Sequence, residues 1–147
     1  MAEFVMKRMV SDAAEQCAGH TFEIASAATS TEEIGNPVYP PARRMLERHG
    51  IDCSGKTARQ MTMRDYGYYD YIILMDRNNL RNLRWILPHD IYEKECSAQA
   101  AGKKVSLLMD WCGKTRDVAD PWYTGDFIAT WNDVNEGCRA LLQTLLQ

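Results

Sequence analysis

Apolar and polar positions along this chain switch between a helical period and short continuous apolar runs. The switching predicts helices interleaved with buried strands. Phe4, Val5, Met9, Ala13 and Cys17 recur at helical spacing, so Ala2 to Cys17 reads as a helix with Gly19 as its terminator. Thr21 to Ala28 reads as a short strand, and Thr29 to Pro41, punctuated by Gly35, Asn36, Pro37, Pro40 and Pro41, as a loop. In a helix over Pro41 to His49, Met45 and Leu46 face inward, Arg43, Arg44, Glu47 and Arg48 face water, and Gly50 closes it. Tyr71 to Met75 is an unbroken apolar run, as expected of a strand covered on both faces. Asp76 is placed to cap the next helix, which runs through Leu80, Leu83 and Ile86 to Pro88. Val105 to Met109 is a second buried strand. Phe127 to Leu146 forms an amphipathic helix with Ile128, Trp131, Val134, Cys138, Leu141 and Leu145 on one side. Strands alternating with helices predict an α/β fold with a parallel sheet, in a single domain over residues 1–147.

The bulk composition narrows the function classes. The chain has 147 residues, enough to bury a core without disulfides or metals. Its net charge of −3 supplies no field that would draw it onto nucleic acid or an anionic membrane. No apolar run approaches transmembrane length, and Glu3, Lys7 and Arg8 interrupt any signal-peptide pattern at the start. The five cysteines are scattered without a C-x-x-C pair, so they read as reduced cytoplasmic thiols rather than a disulfide frame or zinc site. His20, His49 and His89 lack metal-ligand spacing, and no metal or cofactor is expected.

Several short segments recur in a telling order. Ser26-Ala27-Ala28-Thr29-Ser30 is followed by Glu33-Ile34-Gly35-Asn36-Pro37, then His49-Gly50-Ile51 and Ala58-Arg59-Gln60. Asp70-Tyr71-Ile72, Met75-Asp76 and Asn79-Leu80 come next, and Asp120-Pro121-Trp122-Tyr123 precedes Asp126-Phe127. Each piece is weak alone, but their joint order and spacing resembles the low-molecular-weight protein tyrosine phosphatases over essentially the whole chain.

The resemblance implies a three-layer α/β fold and a chemistry. Asp120 matches the family's general acid, which protonates the departing tyrosine oxygen and later activates water against a cysteinyl phosphate. Pro121 would stiffen that loop. Trp122 and Tyr123 would form one wall of the slot that stacks the phenol ring. The opposite wall is expected at Glu32, where many members carry an aromatic; a carboxylate there would repel a phosphorylated ligand. Lys56 stands where many members carry a His that supports the nucleophile loop. The substrate class implied is a phosphotyrosine protein or another aryl phosphate.

Family members open with a buried strand, then a loop C-x-G-N-x-C-R-S-P, then a helix that often begins M-A-E. This chain starts Met1-Ala2-Glu3. The resemblance therefore implies an N-terminally truncated domain, lacking the central first strand and the loop that supplies thiolate and arginine. Backbone groups left on the edges beside a missing strand cost roughly 1–3 kcal/mol each if unsatisfied, so a homo-oligomer is expected to cover them. Two functional readings follow: a phosphatase homologue inactive as it stands, or a non-catalytic, oligomerising scaffold.

Two further patterns compete for attention. Gly50 to Thr57 matches G-x-x-x-x-G-K-[ST], which cradles nucleotide phosphates when it follows a strand and opens a helix. Here it follows an amphipathic helix, leaving an NTP-binding module as the weaker alternative. Cys53 and Arg59 have the C-x5-R spacing of a phosphatase loop, but no strand end is expected before Cys53.

Overall fold

Residues 1–97, 102–121 and 125–147 are described by the structure, a computed structural model, and they divide into two units. The first comprises Met1–Ser26, Asn36–Thr57 and Ala119–Gln147; the second comprises Ala27–Gly35 and Ala58–Val118.

The first unit is helical. It contains α1 (Ala2–Asp12), α2 (Pro40–Arg48) and, at its C-terminal end, α6 (Phe127–Leu145). Both α1 and α2 pack on α6. Val5 and Met6 from α1, Met45 and Leu46 from α2, and Val134, Cys138, Leu141 and Leu142 from α6 are all buried. Pro40 and Pro41 open α2, where a missing N–H is no loss. Gly50 follows its C-cap at φ +73°, a conformation only glycine adopts freely.

Two expectations about these helices are corrected. Helix α1 ends at Asp12, and Cys17 reaches the core from the turns that follow. Ile128 does not face inward but is 64% exposed. The buried stripe of α6 is Thr130, Asp133, Val134, Gly137, Cys138, Leu141 and Leu142. Polar residues take the inward places of the first turns because a backbone segment there needs their hydrogen bonds. Ile128, six residues before Val134, falls on the far side at about 100° per residue.

The second unit holds the sheet. Among the described residues it has two strands, β1 (Ile72–Leu74) and β2 (Val105–Leu107), paired in parallel with Ile72 opposite Val105 and Leu74 opposite Leu107. Chain order between them is α4 (Arg77–Asn82), a 3-10 turn (Leu83–Trp85) and α5 (His89–Cys96); α3 (Met63–Tyr68) precedes β1. Met61, Leu74, Leu83, Leu87, Val105 and Leu107 form the core. Every residue of β2 is buried, as a strand covered on both faces requires. Buried Ser106 accepts a hydrogen bond from Trp111 Nε1 at 2.9 Å, which satisfies both polar groups. Asp76 caps α4 by accepting from the Asn79 amide at 2.7 Å, while Asn79 answers toward the Asp76 amide at 3.2 Å.

The strand expected over Thr21 to Ala28 does not form. Residues 20–27 carry no ladder, and Ala28 alone makes a bridge, to Gln60. Extended backbone becomes a strand only where a neighbour supplies donors and acceptors. The fold is α/β, helices with a small parallel sheet.

Candidate active site

Asp120 lies in the first unit, exposed, directly after Ala119. Both backbone polar groups of Ala119 are held by side chains of α6. Its N–H donates to Asp133 Oδ2 at 2.9 Å, and its carbonyl accepts from Thr130 Oγ1 at 2.7 Å. Asp133 and Thr130 are themselves buried. These two hydrogen bonds, one on each peptide unit flanking the Ala119 Cα, leave the chain little freedom just before Asp120. Beyond Pro121, the Gly125 N–H returns to the Pro121 carbonyl at 2.7 Å with Gly125 at φ +68°. Asp126 then caps α6, accepting from the Ala129 amide at 3.0 Å. Trp122 and Tyr123 lie outside the described residues.

Replacing Asp133 with alanine leaves the Ala119 amide without this acceptor. The expected loss is about 1–3 kcal/mol, read by denaturant unfolding, with faster hydrogen exchange at that amide. Unchanged exchange at Ala119 would show that the bond does not hold the loop.

Lys56 also lies in the first unit. Its ammonium sits 2.8 Å from Glu3 Oε1 and donates to the Ser26 carbonyl at 3.1 Å. Glu3, buried on α1, further accepts from Lys7 at 2.7 Å and Ser26 Oγ at 2.6 Å. Burial alone would raise the Glu3 carboxyl. The hydrogen bonds from Lys56, Lys7 and Ser26 outweigh it and hold the group down at about 2. The sequence singles out Lys56 but not its partner, Glu3. The available signal was a glutamate in the first turn of an otherwise apolar inward face.

Cys53 is 3% exposed, within a turn in which Asp52 accepts from the Ser54 amide at 2.9 Å. The stretch 50–57 thus begins at the end of α2, and no helix opens at its far end. A phosphate cradle built on a helix N-terminus needs that helix. Cys138 is buried too, which pushes its thiol up to about 12, far from a thiolate at neutral pH.

The second unit holds the remaining segments. Ala28 and Ile34 bridge Gln60 and Ala58, so the Ala28-Thr29 and Ala58-Arg59-Gln60 segments run side by side. The Ala28 N–H donates to the Arg59 carbonyl at 2.7 Å, and Asn82 donates to Thr29 Oγ1 at 3.3 Å. Glu32 is exposed in the turn between these bridges, which closes at Gly35 with φ +84°. Arg59 forms a two-pronged bond to Asp65, Nη1 to Oδ2 at 2.8 Å and Nη2 to Oδ1 at 3.0 Å. That guanidinium holds the Asp65 carboxyl below its usual range. Asp65 in turn completes the cap of α3 with Thr62.

The second unit is thus a small parallel sheet with helices, and in the first an exposed Asp-Pro pair precedes the last helix. A model of the family described as low molecular weight phosphotyrosine protein phosphatase matches residues 1–147. The chain is 34% identical to the human low molecular weight phosphotyrosine protein phosphatase over 146 residues, 97% of this chain and 85% of that protein. Its structure is similar to that of YfkJ from Bacillus subtilis, with a TM-score of 0.80 and 28% identity, covering 98% of this chain and 84% of the other. It is likewise similar to SP-PTP, a low molecular weight protein tyrosine phosphatase from Streptococcus pyogenes, with a TM-score of 0.74 and 34% identity over 99% and 83% of the two chains. This chain belongs to the low molecular weight phosphotyrosine protein phosphatase family.

Proposed function

We propose that the 147-residue polypeptide is a phosphotyrosine phosphatase homologue that retains the proton-transfer half of the family chemistry without a working nucleophile. Asp120 is the proton donor in this reading: the residue is exposed, and both backbone polar groups of Ala119 before it are held by Asp133 and Thr130. The observation that carries the negative half is the state of the one C-x5-R pair in the sequence. Cys53 is buried, and Arg59 is spent on Asp65 in a paired, two-pronged bond. A phosphoryl-transfer thiol needs the opposite: an accessible thiolate with cations and amide N–H groups turned toward the anion. The ligand class suggested by the family is a phosphotyrosine protein or a smaller aryl phosphate.

The test is hydrolysis of p-nitrophenyl phosphate and of free phosphotyrosine by this polypeptide. Release of product at the rate of the protein-free blank is expected, with Cys53→Ser indistinguishable from the parent. Turnover abolished by Cys53→Ser would overturn the reading and make Cys53 the nucleophile. Turnover that survives Cys53→Ser but is lost in another single Cys→Ser variant would overturn it in favour of that thiol.

A further inference from the structure

Helix α2 presents two kinds of arginine. Arg43 is paired along the helix, its Nε donating to Glu47 Oε1 at 2.9 Å. Arg44 and Arg48 stand at the same four-residue spacing but have no acidic partner among the described residues. Like charges at that spacing repel each other. Both residues line a groove of about 280 Å³ within the first unit.

The rest of the groove is largely apolar. Pro41 and Met45 come from α2, and Phe127 and Ile128 from the first turn of α6. Ile128 is 64% exposed, a branched apolar side chain held in water. The Phe127 ring is steadied by Tyr39, their centroids 6.2 Å apart. Asp126 also lines the groove, but its carboxylate is engaged as the cap of α6.

We infer that this groove docks an acidic, extended segment of a partner protein. A cationic wall beside an apolar floor, in a chain of net charge −3, fits carboxylates flanked by an apolar side chain. Arginines one helical turn apart are about 5–6 Å from each other at Cβ. Alternate residues of an extended peptide share a face at about 6.6 Å, so a Glu-x-Glu pair brings both carboxylates to the two guanidinium forks. An apolar residue two positions earlier, as in Leu-x-Glu-x-Glu, then meets Met45, Phe127 and Ile128. A nucleic acid fits less well, because it calls for a broader basic field and flat rings on which bases stack. The inference goes beyond the functional reading above and does not depend on phosphate hydrolysis.

Fluorescence anisotropy of a labelled Leu-Ser-Glu-Ser-Glu peptide tests it directly. Saturable binding is expected, weakened about tenfold or more by the double variant Arg44→Glu/Arg48→Glu and by 0.5 M salt. Ile128→Ser is expected to weaken it about threefold to tenfold through the lost apolar contact. Melting curves on each variant report folding, and Arg44→Gln/Arg48→Gln repeats the charge test with a milder change. No anisotropy change up to millimolar protein would overturn the inference. So would equal binding by the charge-reversed variant, by a Leu-Ser-Gln-Ser-Gln peptide, or by a single-stranded oligonucleotide.

Discussion

Lys56→Met is expected to destabilise the protein by about 3–5 kcal/mol, because it strands a carboxylate that has left water. Glu3 is buried, and Lys56 supplies the nearest charge from outside its own helix, 2.8 Å away. Lys7 remains on Glu3 in the variant, but its side chain is half exposed and binds less tightly for that reason. Adding Glu3→Gln to Lys56→Met is expected to recover much of the loss, since the amide can be buried without a counter-charge. Urea unfolding of the parent, both single variants and the double variant closes the cycle. Single-variant losses that simply add would show that the two groups do not interact.

The same pair carries a pH dependence of defined sign. Glu3 has its folded carboxyl held at about 2 against an ordinary 4.5. A lowered folded value means that the unfolded chain binds the proton first as pH falls. The stabilisation is therefore complete above about 4.5 and fades as pH drops toward 2. The difference corresponds to something on the order of 3 kcal/mol. Unfolding free energies measured between pH 5 and pH 2 should fall less steeply in Glu3→Gln than in the parent. Parallel slopes would place the acid sensitivity elsewhere, for instance at Asp65, whose carboxyl Arg59 also holds low.

Leu83→Ala is expected to cost about 2–5 kcal/mol, the range for emptying a leucine-sized space in a packed core. Leu83 is 0% exposed in the core of the second unit, among Leu74, Leu87, Val105 and Leu107. It follows α4 in a 3-10 turn, so the surrounding backbone cannot collapse without disturbing the cap and the strand. Each kcal/mol should lower the melting midpoint by roughly 2–4 °C in a chain of this size. Trp85, two residues on and 74% exposed, provides the contrast. Trp85→Ser should change stability by less than about 0.5 kcal/mol. Equal losses at the two positions would contradict the placement of this turn.

Much of the architecture was legible because it is encoded locally. The stripe of Met45 and Leu46, the prolines ahead of them and Gly50 behind them mark α2 from start to stop. Asp76 announced the helix that it caps, and the apolar runs around Ile73 and Ser106 announced the two paired strands. Helix α3 escaped notice because it has only six residues and includes Gly67. Helix α5 starts just after Pro88 and carries a charged sequence of weak periodicity. Thr21 to Ala28 misled in the other direction: its residues favour extension, but extension is not pairing.

The candidate site divides in the same way. Asp120 could be picked out by the Pro121 beside it and by the order of family segments around it. What holds Asp120 could not, because Thr130 and Asp133 occupy inward positions that a hydrophobicity pattern assigns to apolar residues such as Ile128. Arg59 looked like half of an anion site by spacing, and its bond to Asp65 shows a structural use instead.

By itself, then, the amino-acid order determined the periodic elements, their caps and the family, since periodicity, capping and motif order are properties of neighbouring residues. Only the tertiary structure decided that Lys56 belongs to Glu3, that α6 turns Asp133 inward and Ile128 outward, and that Arg44 and Arg48 border an apolar groove. Each of these depends on which distant segments meet, and a side chain takes its charge partner and its burial from the residues it meets in space.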